Sequence, residues 1–205
     1  PGANSHFTTE RITDDVLRRT RILYMGGYCL TPEPTADRIA DLFTRARNLG
    51  VTTVLDVVIP APGDYSDRLD TVLPVTDYFV PNDDEARLLC GLANPIEQAR
   101  LFRDAGARHV VITCGSRGSV LLGPEGGLKA HAHEVPLVDG TGGGDAFASG
   151  FILALLDNAS PADCLRLGSA AGACCVQATG ATTGMPDATS LRQLAADTAL
   201  TIESL

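Results

Sequence analysis

Short apolar runs alternate along the chain with longer segments of mixed polarity. The runs at residues 51–59, 78–80 and 109–113 are rich in β-branched and aromatic side chains, which is typical of buried strands. Residues 36–49 instead place apolar side chains at helical spacing and are followed by Gly50, where a helix C-cap is expected. The pattern therefore predicts strands that are separated by helices.

Two further helix starts combine a capping residue, a proline and an acidic residue. Asn94 begins a predicted helix that extends to about residue 105, and Ser160 begins one that extends to about residue 178. The remaining predicted elements are strands at 21–25 and 119–122, an extended segment at 128–138, an apolar helix at 145–157 and a last helix at 190–198. Because helices connect successive strands, we expect an α/β fold, a three-layer α/β/α sandwich with a mostly parallel central sheet.

Length and charge narrow the class of protein. The 205 residues suit one domain, which we predict to span residues 1–205. The formal net charge of −9 argues against nucleic acid as a partner, although it does not exclude a small anionic ligand. No apolar run reaches the roughly 18 residues of a membrane span, and the printed sequence opens with no secretory leader. We therefore expect a cytoplasmic protein without a membrane partner.

The lysine and cysteine residues argue against two further classes of protein, the P-loop ATPases and the proteins held together by disulfide bonds. Lys129 is the only lysine and lies outside any Gly-Lys-Ser/Thr sequence, so the chain is not a P-loop ATPase. The six cysteines form no Cys-x-x-Cys pair and lie mostly in apolar runs, so we interpret them as buried thiols in a reducing compartment.

The most distinctive segment is Gly142-Gly143-Gly144-Asp145, just before the predicted apolar helix. Glycines let backbone N–H groups turn toward a ligand, and a helix N-terminus adds partial positive charge, so the segment suits a phosphate group. Asp145 would lie at the mouth of this anion hole, where a carboxylate can accept a proton from an attacking hydroxyl. A glycine-rich turn with Asp145 as the helix N-cap explains the same residues equally well.

A second loop that contains glycine follows the strand predicted at residues 109–113. Thr113, Gly115, Arg117 and Gly118 would bring a hydroxyl, a cation and closely approaching backbone to a phosphate group. Taken alone, an ordinary β-turn is the better explanation of this loop.

Residues 139–147 resemble the C-terminal signature of the ribokinase (PfkB) family of carbohydrate kinases. They read Asp-Gly-Thr-Gly-Gly-Gly-Asp-Ala-Phe, where the family usually has Asp-Thr-Thr-Gly-Ala-Gly-Asp-Ala-Phe. Gly140 and Gly143 depart from this signature, and both keep the loop small and flexible. The Thr113 loop resembles the Thr-x-Gly-x-x-Gly nucleotide loop of the family and precedes the signature at the expected distance. That order favours nucleotide binding over a simple turn.

The resemblance implies roles for the matched residues. Asp145 would be the general base, and the amides of the three glycines before it would hold the transferring phosphoryl group. Asp139 and Thr141 match positions that help to bind a monovalent cation in many members, which here would be K⁺. The loop at residues 180–183 would supply the rest of that cation site.

Asn82 and Glu85 match the Asn-x-x-Glu motif of the family, which organises the magnesium environment largely through water. Oxygen ligands with retained water suit Mg²⁺. Without the resemblance, the same residues describe a helix N-terminus with Asn82 as its cap and acidic residues in its first turn. The two interpretations are compatible.

Three features carry weaker signals. Residues 168–180 resemble the helix and loop that wall the adenine pocket, although small residues also permit close helix packing. His131 and His133 alternate on an extended segment, where a solvated strand face is favoured over a metal site. Asp56 resembles an aspartate found at the end of an apolar strand in the family, and its role could be purely structural.

The resemblance implies a ribokinase-like fold and an ATP- and Mg²⁺-dependent sugar kinase, a phosphotransferase with an alcohol group as acceptor. Two alternatives stay open: a nucleoside kinase of the adenosine-kinase type, and a nucleotide-binding fragment or homologue without catalysis. Members of the family also have an N-terminal region with the first strands, a lid and most sugar contacts. Residues 1–4 resemble a stretch that follows it, so we expect this chain to lack those strands and the lid. A homodimer stays open, since family members often pair through the lid.

Overall fold

The computed structural model describes residues 6–205, so the stretch at residues 1–4 lies outside the described part. The chain divides into two compact units. The first extends to Ile112 and includes Leu122–Glu125, and the second comprises Thr113–Leu121 and Gly126–Leu205. The assignment of both units to one domain stays a prediction.

The first unit is built on parallel strands that follow one another in chain order. Its strands are β1 (Ile22–Tyr28), β2 (Thr52–Val57), β3 (Tyr78–Phe79) and β4 (His109–Thr113), whose last residue belongs to the second unit. Parallel pairing joins β1 to β2, β2 to β3 and β3 to β4. Its helices are α1 (Asp14–Leu17), α2 (Ala36–Asn48), α3 (Ser66–Leu69), α4 (Asp83–Cys90) and α5 (Pro95–Asp104). The predicted strands and the helices near 36–49 and 94–105 are confirmed.

Capping residues mark the starts and ends of these helices at the positions that the sequence predicts. The Asn94 side chain accepts the N–H of Ile96 at 2.8 Å and so begins α5. Gly50 and Gly106 follow α2 and α5 with φ values of +77° and +111°, a backbone that side chains with a Cβ rarely adopt. The helix lengths therefore follow from local chemistry, while burial of apolar faces holds the helices in place.

The second unit contains three long helices and short strands. The helices are α6 (Gly143–Leu156), α7 (Pro161–Cys175) and α8 (Ala188–Asp197). The strands are β5 (Ser119–Gly123), whose first three residues belong to this unit, β6 (Gly126–Ala130) and β7 (Ile202–Ser204). β7 pairs antiparallel with β6. The sequence pattern does not predict β7, because three residues are too few to show a period.

Two predicted boundaries of the second unit are wrong. The extended segment predicted at 128–138 is a strand only as far as Ala130. The helix predicted to extend to about residue 178 ends at Cys175, because the chain then turns into a loop that begins at Val176. In both cases composition continues across the boundary, so no local signal marks it.

Glycines allow α6 and α7 to pack closely. A Cβ on Gly150 would overlap the carbonyl oxygen of Leu167, and a Cβ on Gly168 would lie 3.1 Å from the ring of Phe147. Phe147 and Phe151 are themselves buried. The small residues of α7 are therefore used for close helix packing, which confirms that alternative for this part of residues 168–180.

Several side chains noted in the sequence have structural partners. The Tyr24 hydroxyl donates to Asp56 Oδ2 at 2.7 Å. His131 Nε2 lies 3.2 Å from Glu203 Oε1. All six cysteines are free thiols. In the part of the chain that the structure describes, no helix combines the length and the apolar character that a membrane span requires.

A buried polar cluster joins β2, β3 and β4 in the first unit. Asp77 Oδ2 accepts the N–H of Thr53 at 2.9 Å, and the carbonyl of Asp77 lies 3.0 Å from His109 Nδ1. The His109 ring stacks on Tyr78, with centroids 4.4 Å apart, and is 6% exposed. Burial lowers the pKa of His109 despite the opposing effects of the Asp77 carbonyl and of Glu125. The cluster therefore holds a neutral imidazole.

Stability should fall in mild acid because of His109. The unfolded chain takes up a proton near the ordinary histidine pKa of about 6.5, while the buried imidazole resists protonation to lower pH. The free energy of unfolding should be pH-independent with respect to this group above that value. It should then decrease toward pH 5 by at most about 1.4 kcal/mol per pH unit. Urea titrations between pH 8 and pH 5 measure this slope.

His109→Gln should flatten this pH dependence. Equal slopes in the parent and in His109→Gln would contradict the assignment.

Candidate active site

The anion-hole segment forms the N-terminus of α6. Gly142 is the N-cap, and its carbonyl accepts the N–H of Ala146 at 2.8 Å. Asp145 is the third residue of the helix and is exposed, so its assignment as the N-cap is wrong. The N–H of Gly143 donates to Gly140 O at 3.2 Å. The following amides of the first turn have no acceptor within the helix, which leaves them suited to an anion.

Gly142 has no room for a side chain. Its φ is +79°, and a Cβ would lie 2.5 Å from the Cβ of Ala181. Gly144 differs, because a Cβ there would meet nothing within 4 Å and its φ is not positive. The first glycine is therefore a requirement of the fold, while the third leaves open space beside the first turn of α6.

Asp139 joins the anion loop (residues 139–142) to the return loop (residues 176–184) that follows α7. Its Oδ1 accepts the N–H of Thr141 at 2.9 Å, and its Oδ2 accepts the N–H of Gly180 at 2.9 Å. These backbone donors, Gly180 first, hold the pKa of Asp139 below its ordinary value. The carboxylate is therefore ionised at neutral pH. The role of Asp139 and Thr141 in binding a monovalent cation stays a prediction.

Cys175 makes a second connection between the same loops. Its Sγ lies 3.5 Å from the carbonyl oxygen of Thr141 and 3.3 Å from that of Ala181. Burial raises the pKa of the thiol, and the charges of Asp139 and Asp145 raise it further. Cys175 is thus a protonated donor. Sequence reasoning missed it, because a cysteine among small residues gives no sign of the carbonyls that it faces.

The Thr113 loop lies in the same unit as the anion loop. After the half-buried Thr113, residues Gly115–Arg117 form a 3₁₀ turn that ends in an exposed arginine, and Cys114 N–H donates to Gly118 O at 2.8 Å. Gly118 has a φ of +92°, and a Cβ there would overlap the carbonyl oxygen of Ala130. The turn conformation is therefore observed, while the role of these four residues in nucleotide binding stays a prediction.

Asn82 and Glu85 lie in the first unit, at the start of α4. Asn82 Oδ1 accepts the N–H of Glu85 at 2.8 Å, and Glu85 Oε2 accepts the N–H of Asn82 at 3.0 Å. This reciprocal pair is a capping box. The capping interpretation is confirmed. The role in the magnesium environment stays a prediction, and one oxygen of each side chain is already used by a backbone N–H.

Among residues 6–205, no group of three His, Cys, Asp or Glu side chains comes together as a metal-binding set. His131 contacts Glu203, as described above. His133 lies beyond the end of β6, and burial lowers its pKa. His131 is exposed, in agreement with the solvated interpretation that the sequence favours. The solvated strand face is wrong for His133, which lies outside any strand and whose Nε2 is buried without a hydrogen-bond partner in the described part of the chain.

The two glycines should differ in stability when each is changed to alanine. Gly142→Ala places a side chain on left-handed backbone against Ala181, which costs at least about 1–2 kcal/mol and should lower Tm by about 4 °C or more. Gly144→Ala lies in open space on a helical backbone, so it should leave Tm unchanged or raise it by up to about 4 °C. Thermal unfolding followed by circular dichroism measures both. A comparable decrease of Tm in the two variants would contradict the requirement for glycine at position 142.

Comparison with known proteins adds to this geometry. Residues 1–188 match the family described as pfkB family carbohydrate kinase. Ribokinase of Haemophilus influenzae is 32% identical over 196 residues, which are 90% of this chain and 60% of that protein. Aminoimidazole riboside kinase of Salmonella typhimurium is 26% identical over 196 residues, which are 91% of this chain and 61% of that protein.

A solved structure shows the same fold. Arabidopsis thaliana ribokinase, complexed with ribose and ATP, superposes with a TM-score of 0.76 at 25% identity, over 89% of this chain and 58% of that one. The likeness confirms the predicted ribokinase-like α/β fold with a mostly parallel sheet. The chain spans about half to three-fifths of the length of the curated relatives that it matches, between 51% and 60% for three of them. With a family match over residues 1–188, the chain belongs to the pfkB family of carbohydrate kinases.

Proposed function

We propose that the protein is an ATP-dependent carbohydrate kinase that transfers the γ-phosphoryl group to a sugar hydroxyl. The observation that carries the proposal is the exposed carboxylate of Asp145 in the first turn of α6, directly after a glycine N-cap. A helix N-terminus favours anions, and a carboxylate beside it can take up a proton. Membership of the pfkB family of carbohydrate kinases supports phosphoryl transfer as the reaction.

Asp145 acts as the general base in this proposal. Its carboxylate accepts the proton of the acceptor hydroxyl as the oxygen forms its bond to the γ-phosphorus. The bond between that phosphorus and the leaving oxygen breaks, and the electron pair leaves with ADP. The amides of Gly142, Gly143 and Gly144 stabilise the charge on the phosphoryl oxygens. Because Gly143 already donates to Gly140, Gly142 and Gly144 are better placed than Gly143 for this role.

The nucleotide would be held by the Thr113 loop. We assign Thr113 as a hydroxyl donor, Arg117 as a cation, and Gly115 and Gly118 as positions of close backbone approach. The exposed 3₁₀ turn and the two positive φ values fit this role, since such turns present N–H groups to phosphates. Arg117 can pair with phosphate oxygens in a bidentate manner.

Two ions belong to the proposal. Asn82 and Glu85 would contribute oxygen atoms to the Mg²⁺ environment, largely through water, and oxygen donors are the ligands that Mg²⁺ prefers. Mg²⁺ would neutralise the charge that develops on the phosphates. Asp139 and Thr141 would help to bind K⁺, and the ionised state of Asp139 fits a cation ligand.

The acceptor is proposed to be the hydroxymethyl group of a sugar or of a riboside. Relatives named ribokinase and aminoimidazole riboside kinase support both versions, and the second keeps the nucleoside-kinase alternative open. ADP release measured with ribose, fructose and adenosine in parallel decides between them. ATP binding without ADP release from any acceptor would instead support a nucleotide-binding module without catalysis.

Asp145→Asn should abolish phosphoryl transfer while ATP still binds. Loss of a general base should lower kcat by about 10²–10⁴-fold, whereas binding depends on other groups. Coupled ADP release gives kcat, and calorimetry gives the Kd for ATP.

The matched control for Asp145→Asn is Asp163→Asn. Asp163 is also the third residue of a helix, α7, and belongs to the same unit. The control removes the same charge from an equivalent helical position and should keep the kcat of the parent. Equal turnover by Asp145→Asn and the parent would sink the assignment of the base.

A further inference from the structure

The segment that leads into α6 and the return loop are connected at three points, one of which is the contact of Cys175 with the carbonyls of Thr141 and Ala181. Val176 O accepts the N–H groups of Val138 at 2.8 Å and of Asp139 at 3.2 Å. The Asp139 carboxylate spans the N–H groups of Thr141 and Gly180. Each contact joins the segment that leads into α6 to the segment that leaves α7.

Two of these connections depend on single side chains. Removal of the Asp139 carboxylate leaves two backbone N–H groups without their acceptor. Removal of the buried Cys175 thiol takes away the single S–H donor that the carbonyls of Thr141 and Ala181 share. Without these hydrogen bonds the two loops are held together less firmly, so their backbone should open more often.

Movement of either loop would reach the first turn of α6. The Ala181 side chain lies against Gly142, whose left-handed backbone sets the direction in which α6 begins. Thr141 precedes Gly142 directly. Asp139 and Cys175 thus act on the two chain segments that flank the N-cap, and neither needs to touch a substrate to affect Asp145.

We propose that Asp139 and Cys175 act together as positioning residues that fix the N-terminus of α6 for phosphoryl transfer. This role rests on the proposed function and deepens it. Asp139 positions through its two backbone hydrogen bonds, and Cys175 through its contacts with the Thr141 and Ala181 carbonyls. The Asp139 carboxylate thus has a role beyond that of a cation ligand, and the Cys175 thiol supports the reaction by positioning the first turn of α6.

Amide hydrogen exchange tests the structural part without nucleotide. In the peptide that covers residues 140–146, Asp139→Asn and Cys175→Ala should each accelerate exchange of the amides that the turn protects, those of Gly143 and Ala146, by about 10-fold or more, because the first turn opens more often. Cys175→Ser keeps a hydroxyl donor and should restore protection in large part. The controls are Asp187→Asn and Cys164→Ala, which alter an acidic helix cap and a buried thiol elsewhere in the same unit.

Kinetics test the positioning part. Asp139→Asn and Cys175→Ala should each lower kcat by about 10-fold or more with the KM for ATP nearly unchanged, since misplacement of a catalytic group affects the transition state. Their effects should be strongly non-additive in the double variant, because either change already releases the same turn. Cys175→Ser should recover most of the turnover, and both controls should keep the parent kcat.

Distinct outcomes separate the two proposals. Unchanged exchange at residues 140–146 in both variants would overturn the positioning role, whatever the turnover. A defect of Asp139→Asn that a higher K⁺ concentration abolishes would assign the carboxylate to cation binding alone and overturn its positioning role. A parent protein without kinase activity would refute the proposed function, while the exchange rates would still show whether these side chains hold the turn.

Discussion

The N-terminus of α6 depends on one backbone conformation. Gly142 has a φ of +79°, and the side chain of Ala181 lies where a Cβ of residue 142 would point. A glycine at this position lets the chain reverse and lets the first amides of α6 face outward. Asp145 lies within that first turn, so the direction of its carboxylate follows from the same turn. The anion loop, the return loop and the proposed base therefore share one geometric constraint.

Close packing of α6 on α7 transmits this constraint into the core of the second unit. Gly150 and Gly168 allow the two helices to approach, and Phe147 fills the space between them. Closely packed protein interiors tolerate little displacement of their side chains and helices. The end of α7 is therefore fixed relative to the start of α6. Cys175, the last residue of α7, can then reach carbonyls on both neighbouring loops.

The first unit relies on a different balance of forces. Parallel strands bury its apolar residues, and the polar cluster of Thr53, Asp77 and His109 is satisfied by backbone partners rather than by solvent. The capping box of Asn82 and Glu85 supplies a local start for α4. The two side chains that cap this helix are those proposed for the magnesium environment. A residue pair can serve both purposes only if the cap leaves a lone pair available, and carboxylate and amide oxygens have such pairs.

The sequence by itself determined most of the element order and the chemical nature of the candidate site. Periodicity predicts α2 and the parallel strands, because burial repeats with the period of each element. Asn94 and Ser160 mark helix starts, because capping is a local interaction. The glycine-rich segment with Asp145 predicts a phosphate site, since both features depend on residue type. The resemblance of this segment to the ribokinase (PfkB) family is confirmed by the family match over residues 1–188.

Tertiary structure alone decided which groups meet across long stretches of chain. Gly142, rather than Asp145, caps α6, because the left-handed turn that begins the helix lies at residue 142, with Ala181 of the return loop packed beside it. The contacts of Asp139 with Gly180 and of Cys175 with Thr141 join residues that lie more than 30 positions apart. β7 exists only through its pairing with β6. The local sequence pattern does not predict such partners. The identity of a side chain determines what it can donate or accept, whereas the fold determines which partner lies within reach.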